Sequence, residues 1–375
     1  MRFLIITHVL HKKNQNQYFG YAPYVREMNL WFKHVDQVEV LGALEDGIPT
    51  DIDLPYVQRD IQFTTIPEIS LINLKQIVRT LWFLPLIFMR LCQACRRADH
   101  IHLRCPGNIG LLGCLVQMLF PKKIKTAKYA GNWDPKAKQP LSYRLQKWLL
   151  SNTFLTRNMQ VLVYGHWPEQ TKNIKPFFTA SYTEGEREIL KERKYDGRLY
   201  FVFVGSLVSG KRPLLAIQMV EALNKQGRKV QLDLYGDGIL KSELEAYIKA
   251  KHLEAVVRLL GNQSKEVLKK AYKQAHFLIL ASKSEGWPKA VAEGMFFGVI
   301  PIATDISCVS DMLDGGERGI LIKPELELAV QSINNALIKL ETLKKMSALA
   351  MEWSQKFTLD RFEKDIKALI QSTPK

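Results

Sequence analysis

The stretch Phe277–Thr304 reads FLILASKSEGWPKAVAEGMFFGVIPIAT. Two apolar runs of strand length, FLILAS and VIPIAT, enclose a segment that turns at Ser-Glu-Gly-Trp-Pro and continues with helical spacing. Strand, turn, helix, strand is a βαβ unit, which requires a parallel sheet and a crossover helix. Pro288 suits the first helical position, where its missing N–H is an orphan anyway. No Ser, Thr, Asp or Asn immediately precedes it to cap the amides of Lys289, Ala290 and Val291. Those amides, with the positive end of the helix dipole, can point at an anion. Alternatively, Ser284 or Glu285 folds back and caps the helix itself. Gly294 and Gly298 read as close packing of helix on sheet. Glu285 stands just before the helix and Glu293 lies inside it.

Outward from this unit the same rhythm fills the chain. Strand-like runs at 2–7, 37–42, 99–103, 124–130 and 159–164 alternate with helical stretches at about 22–34, 70–97, 107–119 and 141–154. A second series starts at LYFVFVG (199–205) and continues through KVQLDLYG, VVRLLG, the opening stretch and RGILI. Such alternation predicts α/β architecture with parallel sheets covered on both faces. The expected organisation is two Rossmann-like, doubly wound domains, 1–182 and 199–357, facing a central cleft. The charged stretch 183–198 reads as a linker. An amphipathic helix over 358–375 is expected to pack back on the first domain. In such sheets ligands sit beyond the carboxyl ends of the strands.

The chain has 375 residues, enough for two cores, and 47% hydrophobic with 24% charged content is ordinary for a soluble protein. A formal charge of +16 favours anionic partners such as phosphorylated substrates or acidic lipid headgroups. No interleaving of aromatic and basic residues supports a nucleic acid. MRFLIITHVL reads as a first core strand and not as a cleavable leader. The run Leu81–Leu91 is too short to span a bilayer and contains Pro85. It reads either as a helix packed on a sheet or as an amphipathic surface helix rimmed by Lys75, Arg79, Arg90, Arg96 and Arg97. Cys92 and Cys95 have metal-ligand spacing, but they fall in a helical apolar pattern with no second pair, so they read as buried hydrophobes. Five cysteines without a leader suit a reducing cytoplasm.

Three more loops could carry chemistry. In VGSLVSGKRP (204–213), Gly205 and Gly210 allow tight turns, and Lys211 and Arg212 put cations at a helix mouth, as a diphosphate would need. The same pattern also describes a plain strand-to-helix turn. LYGDG, with Gly236 and Asp237, and LLGN, with Gly261 and Asn262, put small residues at strand ends where a base or ribose could lie. Asp51-Ile52-Asp53, the one Asp-x-Asp sequence, follows a loop and reads as surface charge.

Taken in this order, the loops resemble the nucleotide-sugar half of retaining GT-B glycosyltransferases of the group 1, family-4-like type. The resemblance covers about 195–325, and its most specific element is Glu-x7-Glu at Glu285 and Glu293. It implies metal-independent, cofactor-free transfer of a sugar from a nucleoside diphosphate sugar to a glycan or lipid-linked acceptor. It implies Glu293 on the ribose hydroxyls and Glu285 on the transferred sugar. Gly286, Trp287, Pro288 and Lys289 would line sugar or phosphate, and Lys211 would neutralise the departing diphosphate. Gly205, Ser206, Arg212, Gly236, Asp237, Gly261 and Asn262 complete the expected donor site. Ser206 stands where the family usually has Arg, so either Arg212 takes part of that charge or the leaving group is less supported.

The first domain is expected to bind the acceptor. In AGNWDPK (130–136), Asp134 could accept a proton and Trp133 could stack on a sugar beside Asn132; a turn with a packing Trp fits equally. Gly20 is the only glycine in the loop expected after the first strand, and Arg104 could grip an acidic group. His8 is better placed than His11 to face the cleft, though a plain loop histidine is the simpler reading. The basic first half suits loose attachment to the inner face of an anionic membrane. Two other readings stay open: a nucleotide-sugar epimerase of the same fold, and a nucleotide-sugar-binding or membrane-docking protein without turnover.

Overall fold

The computed structural model describes residues 1–50, 52–69, 74–189 and 192–371. The chain divides into two compact units, Met1–Phe177 with Glu363–Lys375, and Phe178–Phe362.

The first unit contains β1 (Arg2–Ile6), β2 (His11–Asn14), β3 (Gln17–Tyr21), α1 (Ala22–Phe32), β4 (Gln37–Gly42), β5 (Leu44–Asp46), β6 (Asp53–Pro55) and β7 (Ile61–Thr65). It continues with α2 (Leu74–Arg97), β8 (His100–Cys105), α3 (Asn108–Val116), β9 (Ile124–Tyr129), α4 (Leu141–Ser151), β10 (Met159–Tyr164) and β11 (Ile174–Phe177). Its main sheet runs β11-β10-β9-β8-β1-β4-β7, with every pairing parallel. The strand order reverses between β1 and β8. Leu4, Ile6, Ile101, Leu103, Ala127 and Val161 are fully buried, because parallel strands covered on both faces read as continuous apolar runs.

The expected loop after β1 is instead a hairpin. β2 pairs antiparallel with β3, and Gln15 and Asn16 at its tip both take positive φ (45° and 63°). That geometry matches the twist of hairpin strands, and here it arises without the glycine that would have announced it. Two further short strands, β5 and β6, complete a small sheet of order β5-β2-β3-β6.

The second unit contains β12 (Leu199–Val204), α5 (Pro213–Lys225), β13 (Val230–Tyr235), α6 (Lys241–Ala250), β14 (Val257–Leu259), α7 (Lys265–Gln274), β15 (Phe277–Leu280) and α8 (Lys289–Phe296). Next come β16 (Ile300–Thr304), α9 (Val309–Met312), β17 (Ile320–Ile322), α10 (Leu326–Leu337), α11 (Leu340–Ser354) and α12 (Leu359–Gln371). The sheet order is β14-β13-β12-β15-β16-β17, all parallel. The order reverses between β12 and β15, so the loops after these two strands leave side by side at a topological switch point. From Glu363 onward α12 belongs to the first unit, where Glu363 pairs with Lys33 at 2.9 Å.

The stretch 183–198, expected as a linker, is packed along the second unit wherever it is described. Arg193 donates to the carbonyls of Tyr272, Ala275, Phe297 and Gly298 at 2.6–3.3 Å, which satisfies orphan acceptors where α7 and α8 end. Tyr195 is buried in the core of the sheet. Leu190 and Lys191 of this stretch, and Ser372–Lys375 of the expected terminal helix, lie outside the described residues.

Candidate functional site

The site is built where β12 and β15 end together. Phe201 pairs with Phe277 and Val202 with Leu278, so the loop carrying Lys211 and the loop carrying Glu285 start from neighbouring strands. Lys283 N–H donates to the Gly210 carbonyl at 2.8 Å, which fastens one loop to the other. Lys211 Nζ then reaches Glu285 Oε1 at 2.5 Å. The carboxylate side chain is 8% exposed and the lysine 31% exposed, so a buried anion meets a cation that still touches solvent. A charge-assisted bond at this burial is strong and fixes both groups.

Arg212, expected to take part of the diphosphate charge, is held to the protein backbone. It sits in the left-handed region (φ 50°, ψ 52°) just before α5, and its guanidinium donates to the carbonyls of Ala281 and Ser282 at 3.2 and 3.4 Å. It ties the loop to the end of β15, while Lys211 is the loop cation at Glu285. Ser206 is exposed, and its carbonyl accepts from Val208 N–H at 2.9 Å.

The glycines are placed by close approach. A Cβ at Gly236 (φ +142°) would stand 2.0 Å from the Gly205 carbonyl oxygen, and one at Gly238 would stand 2.5 Å from that of Leu207. Gly236 N–H donates to Gly261 O at 2.8 Å, so Gly205, Gly236 and Gly261 line up at three successive strand ends. A side chain at Gly236 or Gly238 would push the loops apart, whereas Gly205 and Gly261 have room beside them; together they leave bare backbone for a flat ligand. Asp237 and Asn262 flank this strip and are exposed.

Helix α8 begins at Lys289, with Pro288 as its N-cap (φ −74°, ψ 89°) and no side chain capping it. The sequence placed Pro288 one position later and counted Val291 among the open amides. In the structure Val291 N–H donates to the Pro288 carbonyl at 3.0 Å, which tightens the first turn. Gly286 O accepts from Cys308 Sγ at 3.0 Å. The indole of Trp287 stacks on Trp353 (6.1 Å between centroids) and meets Phe357 edge-on, so it packs the loop against α11. Gly294 does pack the helix on the sheet: a Cβ there would lie 3.2 Å from Leu278.

Glu293, one turn farther in, is half-buried between two hydroxyls. Ser181 Oγ donates to its Oε1 at 2.5 Å and Tyr272 OH to its Oε2 at 3.1 Å. Burial, reinforced by this carboxylate, pushes the Tyr272 hydroxyl well above its ordinary pKa, so it stays a proton donor. Ser181 is 112 residues from Glu293, and no local signal in the sequence marks it.

The residues expected to hold an acceptor are placed less favourably. Arg104 is inside the first unit, paired with Glu27 at 2.9 Å and lying over the Tyr24 ring. Trp133 is 4% exposed and packs edge-on against Tyr129 at 4.9 Å, with Lys147 Nζ over its ring. It is a core residue, not an open stacking platform. Asn132 Oδ1 accepts from Asp134 N–H at 2.9 Å, and Asp134 Oδ1 accepts from Lys136 N–H at 2.8 Å, so the stretch is a turn held by its own side chains. Asp134 keeps a partly exposed carboxylate. Gly20 lies in β3, buried over His11, and not in a phosphate-facing loop. His11 is fully buried and within 2.8 Å of Tyr56 OH. His8 keeps an exposed edge while its ring packs on Gly107, and the water lost there, with the nearby Arg104 charge, lowers its pKa. Asp53 pairs with Lys12 at 3.0 Å; Asp51 lies outside the described residues. Among the described residues no group of three or more His, Cys, Asp or Glu could hold a metal ion. Cys92 and Cys95 lie on α2 as free thiols.

Comparison with known proteins follows the same division. Residues 185–356 match the family model for glycosyl transferases group 1. The chain is 28% identical over 148 residues to alpha-D-kanosaminyltransferase of Streptomyces kanamyceticus, covering 39% of this chain and 38% of that protein. It is also 28% identical over 145 residues to a Campylobacter jejuni alpha-1,4-N-acetyl-D-galactosaminyltransferase named for a diNAcBac-PP-undecaprenol-linked acceptor, covering 38% of this chain and 39% of that protein. The chain thus spans well under half the length of either relative. Among solved structures, HepE from Anabaena in complex with UDP and glucose superposes with a TM-score of 0.68 over 100% of both chains at 15% identity. Sucrose-phosphate synthase from Thermosynechococcus elongatus gives 0.66 over 99% of this chain and 98% of that one, at 15% identity. These likenesses extend the fold over both units, and the sequence match falls on the second. The chain has the GT-B fold, and its residues 185–356 are similar to the group 1 glycosyl transferases.

Proposed function

We propose that this chain transfers a sugar from a nucleoside diphosphate sugar to a glycan or lipid-linked acceptor, with retention and without a metal. The observation that carries the reading is the Lys211–Glu285 pair at the switch point of the second sheet, beside the uncapped start of α8. Glycosyl transfer develops positive charge at the sugar carbon and new negative charge on the departing diphosphate. Lys211 and the helix amides are aimed where that negative charge would form, and Glu285 sits where a sugar hydroxyl would reach it. The bare strip Gly205–Gly236–Gly261 suits the base and ribose, with Glu293 for the ribose hydroxyls. Retention and the sugar-contacting role of Glu285 rest on the family resemblance of the Glu-x7-Glu spacing. Acceptor binding falls to the first unit, where the exposed part of Asp134 is the remaining candidate of its turn.

The experiment is release of nucleotide from a panel of UDP-, GDP- and ADP-sugars by the purified chain, with and without lipid extract. UDP-sugars head the panel because HepE, of the same fold, was solved with UDP and glucose. Turnover of one donor is expected. A donor that binds and is neither hydrolysed nor transferred would make the chain a binding protein.

The same enzyme is proposed to meet acidic lipid along α2. Helix Gln76–Arg97, 22 residues with an apolar window of mean hydropathy 1.4, is long and apolar enough to cross a bilayer by length and composition alone. Yet Ile87, Leu91, Ala94 and Cys95 are fully buried in the core of the first unit, so one face is already used. The other face leaves Val78, Leu81 and Trp82 exposed, Trp82 by 81%. Apolar side chains next to Arg79 and Arg96 form the pattern of an interfacial helix. Sedimentation with phosphatidylglycerol vesicles is expected to be salt-sensitive and to drop several-fold in Trp82→Glu. Sedimentation indifferent to salt, acidic lipid and this substitution would remove the proposal.

A further inference from the structure

The first unit has a cavity of its own, lined by none of the residues of the Lys211–Glu285 site. It has a volume of about 770 Å3 and opens at the amino-terminal ends of β9, β10 and β11. The residues expected to handle an acceptor, Arg104 and Asn132, sit at the carboxyl ends of β8 and β9, the opposite edge of the same sheet.

The lining of this cavity contains Lys122, Lys125, Arg157, Lys172 and Lys175, and no Asp or Glu. Four of these are exposed around it, and none of the four forms an ion pair with a described residue. Lys125 is different. It is 1% exposed, and its Nζ donates only to backbone carbonyls, Phe120 O at 2.9 Å and Gln117 O at 3.5 Å. Other buried cations of this unit have a carboxylate: Lys128 and Arg104 both stand 2.9 Å from Glu27. Burial lowers the Lys125 pKa to about 8, and its ammonium is held by the two carbonyls.

Solvated lysines scattered on a convex surface would repel one another weakly and need no explanation. Here four exposed cations and no carboxylate surround a concavity of ligand-binding size, while the Lys125 ammonium is turned onto the carbonyls of Gln117 and Phe120, on the opposite face of the sheet from Lys175. Low-dielectric walls concentrate their potential, and the group that relieves it must carry several negative charges close together. We propose that this cavity is a binding site for a ligand with closely spaced phosphates, separate from the donor site.

The test is calorimetric titration of the full chain with sodium tripolyphosphate at low salt. Wild type is expected to bind, and Lys172→Ser/Lys175→Ser to bind about tenfold or more weakly, since each lost charge-assisted contact is worth roughly an order of magnitude. Both lysines are exposed, so the double variant should fold. The diphosphate-binding loop of the other unit is controlled by Lys211→Ser, which is expected to leave this binding in place. A second arm repeats vesicle sedimentation with the double variant. Loss of tripolyphosphate binding alone assigns a soluble ligand, and loss of both assigns a lipid phosphate as well. Tripolyphosphate binding that survives Lys172→Ser/Lys175→Ser, or that disappears in Lys211→Ser, would overturn the proposal.

Discussion

Glu285→Gln is expected to slow sugar transfer by about two to three orders of magnitude while leaving donor affinity within a few-fold of wild type. The substitution keeps the shape and removes the charge. Glu285 is 9% exposed and lies against Lys211, so its carboxylate acts in a site largely closed to water, where a fixed charge counts for far more than in solvent. Gln can still accept from Lys211 Nζ through its amide oxygen, and Lys211 is exposed enough to stay hydrated, so the loop should keep its course. The ammonium would remain available to the diphosphate. What would be lost is the negative charge proposed to hold the transferred sugar through a hydroxyl. Single-turnover rates with a bound donor, set beside the dissociation constant of the nucleotide, separate the two effects. An unchanged rate would show that Glu285 is only the anchor of Lys211.

Glu293→Ala should act the other way, weakening donor binding by about 10- to 100-fold, the worth of one or two hydrogen bonds to a charged group. This carboxylate also has a structural duty, since it accepts from Ser181 and from the fully buried Tyr272. Truncation would strand the Tyr272 hydroxyl and cost roughly 1–3 kcal/mol of stability. The two consequences can be told apart with Tyr272→Phe. That variant removes the hydroxyl, leaves the carboxylate, and should bind the donor nearly as well as wild type. Calorimetry with the donor nucleotide and a thermal melt on all three proteins make the comparison. If Glu293→Ala melts early and yet binds like wild type, Glu293 belongs to the packing of α8 and not to the ribose.

Much of the second unit was legible because its signals are local. The strands of 199–322 announce themselves as apolar runs, and the loops between them carry glycines whose need is steric: Gly236 has the backbone of Gly205 where a side chain would go. The Glu-x7-Glu spacing marked Glu285 and Glu293 before any contact was known. The first unit was less legible at its loops. The β2–β3 hairpin has Gln15 and Asn16 at its tip, residues that take positive φ without advertising it. Trp133 and Arg104 are amphipathic, so their sequence context suits a ligand and a core equally. The partners that decided between these, Tyr129 for one and Glu27 for the other, come from elsewhere in the chain.

Sequence by itself determined the fold class, the strands and helices of the second unit, and the glycines and glutamates of its loops, since hydrophobic period and turn chemistry act over a few neighbouring residues. Tertiary structure decided the partners. It set Lys211 and not Arg212 against Glu285, placed Ser181 and Tyr272 on Glu293, and packed 183–198 through Arg193. It also gathered four exposed cations around one cavity from segments up to 53 residues apart. The physical reason is common to all of these. Strand order brings distant loops together, and the energy of a charge depends on what stands beside it and how much water is left between them.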